Sequence, residues 1–578
     1  MIKINQKCLD LTKKLINIKS INGTSGEKDI ALFIEEYFRS LPYFKAHPNN
    51  ILIQKIPEDA LDRRSVIVVI NGTGREFAPG EKIPTILVHG HIDTVGIDDF
   101  GPLKEFATKP DELLSEMKKL SLPDDIRNDL ESGDFLFGRG ASDMKSGDSV
   151  FMVLMKEFSE HPEELCGNIV ASFNPVEENA HTGIITSLPA FKALRDEKKY
   201  DFICALNNDF TTKLYPDDPG ITIYTGMGGK ILPCFYILGR ETHVGQCFEG
   251  LDASLIATKL MEKIEYSSDF ADLAKGEMAC PPIALKMKDL KDWYNVQTSK
   301  EAFLYFNYFV YEKPMGKITE ELLNAAKEAV NEAIETTRQN QKIFDGRNHL
   351  PYSPREFSVN IMSFDELFQE AIKGSGDSKE SLHNKMTAIK NDEEDNGTDV
   401  REMPIALIRY LMAEAKITDP TVVLYYAPPF VPHCCVKYEE NHNVACAGNT
   451  SSKPSAAKAV SKNGQMLYDI LSSVLNEVSS EKKIDFRILH YYPSLSDSSY
   501  LSIDDDEASI DVLKNNFPLC ESTMKVPIEE IKDLSIPTLN IGDYGSDAHK
   551  WTERVNIPYT FGVLPELERR LILRLLGK

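Results

Sequence analysis

Two histidines and an aspartate fall within five residues in His89-Gly90-His91-Ile92-Asp93, directly after a short apolar run. His91 can bind a divalent cation through a ring nitrogen, and Asp93 can hold that ring in the orientation binding needs. The same pattern also suits a histidine satisfied by ordinary hydrogen bonds near a strand end. A second group centres on Asp143, in Phe137-Gly138-Arg139-Gly140-Ala141-Ser142-Asp143-Met144-Lys145, where a glycine-flanked turn opens a helix expected from about Lys145. Its carboxylate can bridge two cations or simply cap the helix. The third group is the adjacent pair Glu177 and Glu178, in Asn174-Pro175-Val176-Glu177-Glu178-Asn179. Neighbouring carboxylates repel each other unless cations or protons compensate, so a metal gives them one reason to coexist and a solvated loop gives another.

The elements that must position these groups are legible from hydrophobic patterning. Apolar residues at near-helical spacing over 9–18 and 28–39 predict two helices, and short β-branched runs at 66–70, 86–88, 169–173 and 202–206 predict strands. Their alternation with helical stretches predicts an α/β sheet. Residues 65–70 and 85–88 are almost entirely apolar, as strands covered by helices on both faces should be. Ligands in such sheets lie beyond the carboxyl ends of strands, where His89, Glu177 and Asp209 all fall. Beyond Gly228 the pattern changes to a strand over 231–238, helices over 253–265 and 320–339, and a Ser-, Lys-, Asp- and Glu-rich stretch over 373–396 that reads as a mobile surface loop. A helix over 465–478 and a strand over 486–489 then rejoin the first sheet. No internal repeat is present.

The 578 residues allow two or three domains. A formal net charge of −24, with no basic patch, argues against nucleic acid and anionic membranes as partners. No run reaches the roughly 18 apolar residues of a membrane span, and the N-terminal residues lack the pattern of a secretory signal. Ten cysteines without CxxC spacing fit buried thiols in a reducing compartment, so the cytoplasm is the expected location.

Taken in order with Asn208-Asp209-Phe210 and with Ala548-His549-Lys550-Trp551-Thr552-Glu553-Arg554-Val555, these motifs resemble the zinc aminoacylase and dipeptidase family, which includes acetylornithine deacetylase, succinyl-diaminopimelate desuccinylase and carnosine dipeptidase. The likeness covers the N-terminal half and roughly the last 100 residues. It implies an α/β/α catalytic domain, residues 1–227 and 454–578, interrupted by an enlarged α+β lid and dimerisation domain, residues 228–453. It implies two divalent ions, zinc or else cobalt or manganese, and hydrolysis of a peptide or N-acyl bond next to a free carboxylate in a small substrate, a dipeptide or N-acyl amino acid. Carried over residue by residue, His91 and Asp209 would hold one ion, Glu178 and His549 the other, and Asp143 both. Glu177 would be the general base. His243, in Gly239-Arg240-Glu241-Thr242-His243-Val244-Gly245, matches a lid histidine that reaches a neighbouring active site to stabilise the oxyanion, which implies a homodimer.

Residues 281–298 and 427–433 resemble, more narrowly, a bacterial arginine-utilisation subgroup, which points to amino-acid catabolism. Within the lid, Arg401 could grip a substrate carboxylate bidentately, and His433 is a further substrate-binding candidate; a solvated arginine and a packed histidine are the plain alternatives. The chain departs from the family pattern at Val176, where relatives carry Asp, at Asn179 and Ser146 in place of Gly, at Asp252 in place of Asn, and around Asp209, which is not followed by Pro. The rival reading is a binding or regulatory protein that keeps the fold without the catalysis.

Overall fold

β-Branched and apolar residues build the sheet whose strand ends lead into His91, the Glu177–Glu178 turn and Asp209. The computed structural model describes residues 2–439 and 460–577. Its main sheet contains β1 (Ile51–Lys55), β2 (Arg64–Asn71), β3 (Ile83–His91), β4 (Asn168–Asn174), β5 (Tyr200–Asn207), β6 (Ile221–Tyr224), β7 (Phe486–Leu489) and β8 (Thr538–Asn540). They lie in the order β1-β2-β4-β3-β5-β8-β6-β7. β3 runs parallel to both β4 and β5, with His91 beside Asn174 and His89 beside Asn207. Three carboxyl ends therefore finish at one level, and the turns that follow them share one edge.

The residues Val66, Ile67, Val68, Val69 and Ile70 are all buried, which requires helices on both faces. Each such side chain contributes about 1.5–3 kcal/mol by leaving water. The helix Lys145–Glu160 starts where the glycine-flanked turn predicts it. Thr182–Lys198 follows β4 in the chain and packs against β1, β2 and β5. No helix of the described residues is long and apolar enough to cross a membrane.

The chain divides into two compact units, Met1–Met227 with Cys434–Ile503 and Pro527–Lys578, and Gly228–His433 with Asp504–Val526. The boundary expected at 453/454 lies outside the described residues. That 504–526 belong with the second unit had no signal in the sequence.

The second unit is built on a five-stranded sheet in the order Ile283–Asp289, Glu301–Val310, Gly229–Leu238, Thr421–Val431, Asn360–Ser363. On one face Cys234, Tyr236, Phe303, Val423 and Tyr425 pack with Leu367, Leu382, Ile408 and Leu411. The loop expected over 373–396 is corrected here: Lys379–Asp395 is a helix. The Ser378 side chain caps it, Leu382 and Met386 are buried, and Lys390 pairs with Glu394 at 2.7 Å. An apolar stripe at 382, 386 and 389 was masked by the charged composition around it, and burying that stripe stabilises a helix that composition alone would leave in water.

Candidate metal centre

His91 ends β3 and is 2% exposed. Its Nδ1 lies 3.1 Å from the backbone carbonyl of Asp93, which sets the ring, and its Nε2 lies 2.8 Å from Asp143 Oδ1. The Asp93 carboxylate is 3.7 Å from the same Nδ1. Its main partners are elsewhere: Oδ1 accepts the Glu177 amide and Oδ2 the Glu178 amide, each at 3.1 Å, while Asn22 donates to Oδ2 at 2.8 Å. Asp93 thus ties the glutamate turn to the histidine strand.

The turn itself is bent sharply at Val176, whose φ is +69°. A β-branched residue in left-handed backbone is a genuine outlier, held only when its surroundings over-determine it. Here the Val176 amide donates to Glu27 Oε1 at 3.1 Å, and Arg63 holds the other oxygen of Glu27 at 3.1 Å. The bend aims both glutamates at the cluster.

Asp143 is fixed through its backbone. Glu553 Oε1 accepts the amides of Ser142 and Asp143 at 3.1 and 3.3 Å, and Glu553 Oε2 accepts from Arg139 at 2.7 Å. The Asp143 carboxylate is then free to face two ways. Oδ1 meets His91, and Oδ2 lies 3.0 Å from His549 Nε2, which is also 3.0 Å from Glu178 Oε2. His549, at φ +65°, is half-exposed. Asp209 follows β5 and is buried beside His91 and Asp143. A Cβ at Gly542 would overlap the Asp209 carbonyl oxygen, so only glycine lets that strand end lie this close.

His91, Asp143 and Asp209 form one set of donor atoms within 4.8 Å of one another, Asp143, Glu178 and His549 a second, and His91, Glu177 and Glu178 a third. The charges in these sets are strongly interdependent. Burial pushes the Glu177 carboxyl well above its ordinary value; His91 opposes the shift, and Glu178, Asp209 and Asp497 add to it. Burial and the Asp143 charge push Asp209 up to about 8. Asp143 and Glu178 push His549 up to about 11. Burial would raise Asp143, but His549 and His91 hold it below the usual carboxylate range. Asp143, Glu177, Glu178 and Asp209 crowd together where like charges repel, and a divalent cation would compensate that repulsion. Two imidazoles and several carboxylates also match the donors preferred by zinc, cobalt and manganese, so the residues present fit such ions.

The lid candidates belong to the second unit. His243 is exposed, and its Nδ1 accepts the Gly245 amide at 3.1 Å. Arg401 already meets Asp399 with Nε at 2.8 Å and Nη2 at 2.7 Å. His433 is buried with Nδ1 3.0 Å from Asp505. Arg139 and Glu553 support Asp143 without any local sign of that role in the sequence, although they lie in the motifs around Asp143 and His549. The expected site residues also omit His181 and Asp497, which stand 3.0 Å apart beside Glu177. His181, four residues from Glu177, was findable as a titratable group at the same strand end; Asp497 sits in a serine-rich run with no such signal.

The model of peptidase family M20/M25/M40 matches residues 87–557 of the chain. Over 566 residues the chain is 33% identical to Protein RocB of Bacillus subtilis (strain 168), covering 98% of this chain and 94% of that protein. It is also 33% identical over 565 residues to Uncharacterized protein YqjN of the same organism, covering 97% and 94%. Among solved structures it resembles a tripeptidase from Staphylococcus aureus, with a TM-score of 0.48 and 13% identity over the full length of both chains.

Proposed function

Since the chain belongs to peptidase family M20/M25/M40, and is thereby a hydrolase of metallopeptidase type, we propose that it is a dinuclear metal-dependent amidohydrolase that cleaves a peptide or N-acyl bond next to a free carboxylate. One observation carries this reading: the two oxygens of a single carboxylate, Asp143, face two different histidines, His91 and His549. That is the arrangement a bridging ligand needs. His91 and Asp209 would complete one ion's donors, and Glu178 and His549 the other's. When bound, the ions would polarise the scissile carbonyl and make an attacking water more acidic.

The chain's own groups supply the rest. Glu177 sits beside Glu178 and close to His91, with its backbone amide held by Asp93. Its carboxylate takes the proton of the attacking water and returns it to the departing amine, the work of a general base that turns into a general acid. Glu553 and Arg139 keep the Asp143 turn rigid, so the two histidines are met without rearrangement.

The finer proposals rest on resemblance. His243 of a neighbouring copy would stabilise the oxyanion, and Arg401 and His433 would contact the substrate. A homodimer formed through the second unit is supported by the edge strand Ile283–Asp289, which pairs on one side only among the described residues and exposes Leu285 and Met287. A role in amino-acid catabolism, arginine use included, follows from the subgroup likeness of 281–298 and 427–433. Zinc is the proposed native ion, and the buried thiols Cys8, Cys204 and Cys234 fit a cytoplasmic location.

Metal content of purified wild-type and His91→Ala protein, measured on samples also offered N-acyl amino acids and dipeptides, tests the reading. Close to two ions per chain, as a paired-metal site requires, with both metal and hydrolysis reduced in the variant, is the expected result. Folded, zinc-supplied protein that holds no metal and cleaves nothing would leave a retained fold without its chemistry.

A further inference from the structure

The base Glu177 has two buried neighbours that the metal chemistry does not use. His181 closes the turn after the glutamate pair: its amide donates to the Val176 carbonyl at 2.8 Å, and its φ is +53°. Left-handed backbone is uncommon outside glycine, and a buried histidine kept there points to a role for its ring. The ring is 2% exposed. Its Nδ1 lies 3.0 Å from Asp497 Oδ1 and 3.7 Å from Glu177 Oε1, and the Tyr500 ring covers it with centroids 4.9 Å apart.

Asp497 arrives from 316 residues further along the chain and is held firmly. In the same short run Ser496 Oγ accepts from Asn207 Nδ2 at 2.6 Å, and Ser498 Oγ lies 2.9 Å from His89 Nε2. The run is therefore pinned to the carboxyl ends of β5 and β3, the two strands that present Asp209 and His91. A carboxylate at hydrogen-bond distance from one imidazole nitrogen fixes the tautomer and direction of the ring. At 3.7 Å the Glu177 oxygen is too far for a hydrogen bond from that nitrogen but lies against the same edge of the ring. The result is a buried imidazole whose Nδ1 edge faces two carboxylates, Asp497 in hydrogen-bond reach and the base Glu177 just beyond it.

We propose that His181, oriented by Asp497, is a positioning residue for Glu177, restricting the swing of its carboxylate so that one oxygen stays aimed at the reacting water. The proposal rests on the reading of Glu177 as the base. Neither His181 nor Asp497 belongs to any of the three donor sets, so removing either should separate turnover from metal binding.

The test uses the full-length zinc-loaded protein with His181→Asn, whose side chain tolerates left-handed backbone, and the isosteric Asp497→Asn. The expected result is wild-type zinc content by elemental analysis and a nearly unchanged KM, with kcat lowered about 10–100-fold in each variant, the usual cost of losing such a supporting contact. A second readout needs no turnover. In histidine-selective ¹⁵N spectra the His181 ring signal, identified by its loss in His181→Asn, should move in both Asp497→Asn and Glu177→Gln. Unchanged kcat in both variants, loss of zinc alongside activity, or a His181 signal indifferent to Glu177→Gln would each overturn the proposal. If His181→Asn fails to fold, Asp497→Asn carries the kinetic arm, and the signal is identified by its shift there. If wild-type protein hydrolyses no substrate, the spectra still decide the contact while the hydrolase reading fails separately.

Discussion

Around Asp143 the first unit keeps Arg139, Lys145, Asp148, Asp209, Asp543 and Glu553 almost wholly out of water, whereas the second unit packs Cys234, Tyr236, Phe303, Val423 and Tyr425 against Leu367, Leu382 and Leu411. Both units leave some apolar side chains in water, but the most exposed of them among the described residues belong to the second. The second unit exposes Leu285, Met287, Trp293 and Tyr294 along and beyond its edge strand, Trp293 at 84% and Tyr294 at 92%. Burying charge costs several kcal/mol per ion unless a partner and hydrogen bonds offset it, so its concentration in one unit marks where stability has been exchanged for chemistry. Apolar groups left in water on the other mark where a further surface can be covered.

This contrast can be broken at its sharpest point. Glu177→Gln in the first unit should lower kcat by about 10²–10⁴-fold, the range general acid–base catalysis contributes, with zinc content retained; turnover at the wild-type rate would remove the base from Glu177. Glu553→Ala should destabilise the protein by about 1–3 kcal/mol, because the buried amides of Ser142 and Asp143 lose their acceptor and Arg139 loses one of its two carboxylates, keeping Asp99 at 2.9 Å. Its urea midpoint should fall accordingly, and a loss under about 1 kcal/mol would show that the lost contacts are less costly than supposed.

The second unit should respond more mildly. Ile408→Val, inside its apolar core, should cost about 0.5–1.5 kcal/mol and leave kcat at the wild-type value; a fall in kcat would mean that the two units are not separable in function. Trp293→Ser should change folding stability by no more than about 0.5 kcal/mol, as surface substitutions do, while shifting any dimer toward monomer in analytical ultracentrifugation. A variant that unfolds instead would place Trp293 in the fold rather than at an interface.

Much of the first unit was legible before the fold was known. Strands at 66–70, 86–88, 169–173 and 202–206 stand out because a run buried on both faces must be continuously apolar, and β2, β3, β4 and β5 contain them. The turns that follow β3 and β4 carry His91, Glu177 and Glu178, and the glycine-flanked turn before the helix Lys145–Glu160 carries Asp143, at spacings a local pattern can display. In the second unit the composition around Lys379–Asp395 predicts a loop where the chain forms a helix, since its stripe of Leu382, Met386 and Ile389 lies among charges that outnumber it.

The sequence by itself determined which residue types stand at the ends of which strands, and so which chemistry was on offer. Only the tertiary structure decided that Asp143 faces both His91 and His549, that Gly542 lets a strand end press against Asp209, and that Glu553 and Asp497 reach turns 410 and 316 residues away. The reason is physical. Periodicity reports the burial of a segment against whatever covers it, while hydrogen bonds and ion pairs depend on which distant segment arrives there, and that is settled when the whole sheet assembles.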